Sequence, residues 1–179
     1  SVGRRFSVDE GRGDHGTGAV RTSSRMWLSV LVLFVLHFFL HVGLGFESGA
    51  PDMLTVALLL STREIGMGRA AGVGLCFGLI EDALSVLAFG ANTVAMTVIG
   101  VLGAGTRDLF VGDSLVFLVS YFVLGKWLGD LVRWVMVGED LRQPFVDQVM
   151  VQGLVGGLYA AAVGIALMAI TGLWRKTPA

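Results

Sequence analysis

Six apolar runs, with most of the basic residues lying outside them, constrain this chain more than anything else in it. The runs cover residues 26–46, 51–62, 66–89, 92–106, 113–137 and 150–174. A helix needs about 20 apolar residues to cross a hydrocarbon core. With 54% hydrophobic and 15% charged residues and a mean hydropathy of +0.76, the chain lacks the polar surface of a water-soluble domain. The pattern predicts an all-α fold: a polytopic membrane protein, a compact bundle of six transmembrane helices forming one domain over 26–175. The second run is short. At about 1.5 Å per residue it covers about 18 Å, which calls for a tilted helix or one that ends in a protein-lined cavity. Pro51 suits a first helical position, Asp52 suits the positive end of a helix dipole, and Asn92 suits an N-cap of the fourth run.

Basic residues set the orientation. Six spans place Arg4, Arg5, Arg12, Arg21, Arg25, Arg63, Arg69, Arg107, Arg175 and Lys176 on one side, against Arg142, with Arg133 near it, on the other. The rule therefore puts both termini in the cytoplasm. Residues 1–25, rich in Gly, Arg, Ser and Asp, bury too little apolar surface to offset their ordering entropy and read as a mobile cytoplasmic tail. Trp27, Trp134 and Trp174 fall at span ends, as interfacial anchors do. The mixed segment 141–150, with Pro144, reads as lying on the outer membrane surface.

Ionisable residues inside membrane runs are costly and mark sites to be explained. Span one carries His37 and His41 on one face, span three Glu81 and Asp82, and span five Lys126, Asp130 and Arg133, with Lys126 and Asp130 spaced to pair. All fall in the outer half of the bilayer and suit one polar layer shared by spans one, three and five. That layer reads first as a structural network, then as a ligand or partner site. A metal site on His37, His41 and a carboxylate is the weakest reading, because residue 38 is Phe and the HExxH pattern is absent. No cofactor is expected. A single cysteine, Cys76, excludes an internal disulfide. There is no Walker-A loop and no GxSxG elbow, so the chain reads as a non-enzyme. Nor does its net charge of -1 suggest a nucleic-acid partner. Glycine pairs four apart at Gly68/Gly72, Gly74/Gly78, Gly125/Gly129 and Gly153/Gly157 let helix backbones approach closely, within the bundle or against a partner's helix.

Over residues 50–105 the chain resembles the rod shape-determining protein MreD family. The likeness rests on APDMLTVALLL, with Pro51 and Asp52 before a short apolar run, and on GLCFGLIEDALSVLAFGANTVAMTVIGVL, with Gly78, Asp82, Gly90 and Asn92. Glu81 beside Asp82 and the basic tail depart from the family pattern. The resemblance implies a non-catalytic adaptor of the bacterial inner membrane, a part of the cell-elongation machinery that governs cell shape and peptidoglycan synthesis. Its partner would be an MreC-like protein with one span, alongside MreB, RodA and its transpeptidase, and membrane lipids. The alternative is the substrate-capture subunit of a vitamin or small-molecule uptake transporter, whose fold the MreD-like bundle resembles. Those subunits carry alanines four apart on span one, and residues 26–46 contain none.

Overall fold

The computed structural model describes residues 15–40, 52–84, 88–106 and 114–172, with the backbone alone for 15–23. Among the described residues there is no strand. The described residues form six α-helices: α1 His15–Phe38, α2 Met53–Thr62, α3 Met67–Leu84, α4 Ala91–Thr106, α5 Leu115–Met136 and α6 Gly153–Thr171. Two segments, Leu115–Met136 and Val146–Thr171, have the length and apolarity of membrane spans. The apolar parts of α1, α2 and α4 are shorter.

The short helix is the centre of the bundle. All ten residues of α2 are buried, and α2 touches each of the other five helices. Around Leu54, Leu58 and Leu59 pack Val30 and Leu33 of α1, Met96 and Ile99 of α4, Leu118 and Phe122 of α5, and Ala160, Ala161 and Met168 of α6. A buried helix must satisfy its orphan end groups without water. At the start of α2, Asp52 accepts from the backbone N–H of Thr55 at 3.0 Å. At its end, Ser61 Oγ donates to the Leu58 carbonyl at 2.7 Å, and the Tyr121 hydroxyl of α5 reaches the Leu59 carbonyl at 3.1 Å and Thr62 Oγ1 at 2.6 Å. The run 51–62 is thus short because its ends are held by protein. The first residue of α2 is Met53, with Asp52 as its N-cap.

The glycine pairs mostly pack inside the bundle. A Cβ on Gly78 would lie 2.7 Å from the Asn92 carbonyl oxygen, one on Gly74 would strike the Met96 carbonyl, and one on Gly100 would lie 2.5 Å from the Ala70 carbonyl oxygen. These three positions bring α3 and α4 into backbone contact. Gly125 faces Leu59, Gly129 faces Ile99, Gly153 faces Trp127 and Gly157 faces Val123. Gly68 and Gly72 face open space.

Two boundaries differ from expectation. Helix α1 begins at His15, inside the expected tail, because extending an anchored helix adds one hydrogen bond for each residue fixed. Its described part ends in a π turn at 39–40; residues 41–46 lie outside the described residues. Of the run expected over 66–89, Met67–Leu84 is helical, residues 85–87 lie outside the described residues, and Phe89 and Gly90 form a turn. The segment expected to lie apart before residue 150 is instead π-helical at Val146–Gln152 and continuous with α6. It docks because Phe145 meets the Trp134 ring edge-on at 5.0 Å and Trp134 Nε1 donates to the Gln143 carbonyl at 2.9 Å. Arg142 lies over the same ring at 4.4 Å and donates to the carbonyls of Val135 and Val137 that end α5.

The surface is apolar and part of the interior is charged. Val116 is 75% exposed and Ile170 83%, with Leu28, Leu31, Val35, Leu124, Val155 and Leu158 also facing outward. Buried inside are Asp82, Asn92, His37 and Ser61.

Candidate functional site

Two polar clusters lie at one end of the bundle, where α1, α3 and α5 end and α2 and α4 begin. The first is built around Asp82, which is 0% exposed. Its Oδ2 accepts from the backbone N–H groups of Gly90 and Thr93, both at 2.9 Å, and from Thr93 Oγ1 at 2.6 Å. Its Oδ1 accepts from the Asn92 N–H at 3.1 Å. The carboxylate of α3 therefore caps the start of α4, satisfying orphan donors at the positive end of that helix. Gly90 sits in the turn with φ +96°, a conformation that L side chains rarely adopt. Asn92, expected as the N-cap, is instead a capped residue inside α4. Gly78 supports the same cap from one turn below, since only a glycine there lets the Asn92 and Thr93 backbone approach.

The second cluster joins α2 to α5. Lys126 lies 3.4 Å from Asp52 Oδ2 and pairs with Asp130 one turn along its own helix. One ammonium thus bridges two carboxylates from two helices, each only partly exposed. Glu81 of α3 feels the charges of Asp52, Arg133, Lys126 and Asp82. Its Oε2 is buried and has no hydrogen-bond partner among the described residues, and the same holds for Nε of Arg133. His37 is buried, and its charge would act on Asp52.

Of the expected layer, the structure brings together Asp52, Glu81, Lys126 and Asp130, and it separates Asp82, Gly78, Gly90 and Asn92 into the α3–α4 cap. The single layer of spans one, three and five becomes two clusters, and α2 supplies a carboxylate to one of them. Pro51 and His41 lie outside the described residues. Among the described residues no three His, Cys, Asp or Glu side chains gather as a metal would require. Three participants went unread in the sequence. Thr55 stands three residues after Asp52, the spacing of an N-cap and its partner, and was readable. Thr93 reaches Asp82 across a tertiary turn and Tyr121 reaches α2 from a distant helix, so neither leaves a local signal.

Compared with known proteins, the chain matches no family model, no curated protein and no solved structure. The arrangement itself defines a class: a helical bundle with an apolar exterior, a buried central helix, and internal carboxylates that cap and bridge helices.

Proposed function

We propose that this protein is a six-span scaffold of the bacterial inner membrane, with both termini in the cytoplasm, that serves cell elongation without catalysing a reaction. The observation that carries the reading is the Asp82 cap. Four of the six positions on which the MreD resemblance rests, Gly78, Asp82, Gly90 and Asn92, are mutually engaged in closing one helix hairpin. A carboxylate with both oxygens occupied by backbone donors serves shape, not proton transfer. The exterior of Leu, Val and Ile supports immersion in lipid, since a surface of this kind in water would be an association site over most of the molecule. The partner in this reading is an MreC-like protein with one membrane helix, with MreB, RodA and its transpeptidase in the wider assembly.

A second reading, the substrate-capture subunit of an uptake transporter, is favoured by one observation: the buried, unpartnered Oε2 of Glu81 beside a bridged lysine. Affinity purification from native membranes in mild detergent, with mass spectrometry of the companions, decides between them. Recovery of a one-span protein with an outer coiled coil supports the scaffold. Recovery of cytoplasmic ATPases with a second membrane subunit overturns it in favour of uptake.

A further inference from the structure

We propose that the groove between α1 and α3 is a binding site for a phospholipid with a phosphoethanolamine headgroup, its phosphate held by Arg69 and its ammonium by Glu64. The proposal rests on the membrane reading given above. Helices α1 and α3 both pack on α2 but scarcely on one another, and the space left between them is a groove of about 990 Å³. Its walls are Trp27, Leu31 and Phe34 on α1 and Gly72, Cys76 and Phe77 on α3. No neighbour stands within 4 Å of a Cβ added at Gly72, so the floor is open along α3.

Glu64 and Arg69 also line this groove, and both are exposed. Neither side chain makes an ion pair or a hydrogen bond among the described residues. An apolar slot with one unpaired carboxylate and one unpaired guanidinium is complementary to an apolar chain whose head carries both signs. A purely anionic headgroup would satisfy Arg69 but face the Glu64 carboxylate. A choline headgroup offers the carboxylate no N–H to donate, whereas ethanolamine offers three, as a lysine ammonium does. Arg69 lies in the first turn of α3, so a phosphate there also meets the positive end of that helix. Trp27 borders the groove and is exposed, as an amphipathic ring at headgroup depth would be.

The chain's single cysteine is the probe. Cys76 is exposed and lines the groove, so a bound chain shields it from a maleimide. The full chain in detergent is given phosphatidylethanolamine, phosphatidylcholine or phosphatidylglycerol, and the alkylation rate of Cys76 is followed. The expected result is a several-fold slowing by phosphatidylethanolamine alone, lost in Glu64→Gln and in Arg69→Ala. Gly72→Leu, which places its side chain in open space, is expected to slow labelling without lipid and to abolish the lipid effect. Equal protection by all three lipids, protection by phosphatidylglycerol that needs only Arg69, or protection that survives both charge variants overturns the assignment. If the protein leaves the membrane fraction on alkaline washing, the membrane reading is what fails. If it stays embedded and shows no headgroup preference, this assignment alone fails.

Discussion

Asp82 and Lys126 do different work with similar means, and substitution separates them. Asp82 accepts four hydrogen bonds from the start of α4. Asp82→Ala leaves buried donors without partners, and the loss is expected to be about 2–3 kcal/mol, the scale of hydrogen bonds to a charged group. Asp82→Asn keeps one acceptor but turns an N–H₂ toward N–H donors, so it is expected to recover only part of that loss. Thermal unfolding in detergent, read by Trp fluorescence, checks the order wild type, Asn, Ala; an alanine variant as stable as wild type would remove the cap from the account. Lys126 is different, because it neutralises two carboxylates from two helices. Lys126→Met leaves both facing each other, and breaking a buried pair in this way costs about 3–5 kcal/mol. The triple change Lys126→Met, Asp52→Asn, Asp130→Asn removes the charges together and is expected to restore most of the stability. A triple variant no better than the single would mean that Lys126 acts through packing alone.

At the scale of elements, the glycines divide into those that hold helices together and those that face open space. Gly78→Ala would push a methyl into the backbone of Asn92 and Thr93 and is expected to destabilise by about 1–3 kcal/mol, the usual cost of overpacking. Gly72→Ala meets nothing and is expected to be neutral or to stabilise by up to about 1 kcal/mol through helix propensity. Paired melting curves test this, and equal effects would deny the close α3–α4 approach. The contrast also marks what the sequence could and could not convey. Spacing four apart announced close packing, yet Gly68/Gly72 and Gly74/Gly78 look alike in sequence, and only the hairpin turn at Gly90 decides which pair is covered. Helices α4 and α5 fall within about two residues of the runs over 92–106 and 113–137, because apolar length is a local signal, although the expected cap Asn92 lies inside α4. The turn at Phe89 and Gly90 was not legible, because the residues leading into it are as apolar as the helix before them. Likewise the layer of ionisable residues was legible as a group, whereas its partition depended on α2 lying at the centre. The segment after α5 looked amphipathic and separate because its anchor, the Trp134 ring, is seven residues before Leu141 and belongs to another helix.

For the whole molecule, the six-span proposal makes one demand that no local feature can satisfy by accident: an even number of crossings. Helices α5 and the segment Val146–Thr171 are long and apolar enough to cross alone. Helix α2 is not, and its ten residues are enclosed by the other five helices, so in the six-span arrangement it would cross only as part of the bundle. If that is how the chain sits, the capped end of α4, the Lys126 bridge and the Trp134 clamp lie toward the outer face, while Arg25, Arg63 and Arg69 lie toward the cytoplasm, where basic residues are retained. Tags placed at each terminus are then expected to resist a protease added to intact spheroplasts, and both are expected to be cut once the membrane is opened. A tag near Gly138, in the turn between α5 and the next helical segment, is expected to be cut in intact spheroplasts. Cleavage of one terminal tag alone would require an odd number of crossings and would reject the arrangement. Protection of all three in intact spheroplasts would instead place the α5–α6 turn inside, and would make α5 and α6 a hairpin that does not emerge. The charge distribution favours the first pattern because moving Arg63 and Arg69 across a bilayer is far more costly than moving the single Arg142, whose guanidinium is already held on a ring and two carbonyls at its own end of the bundle.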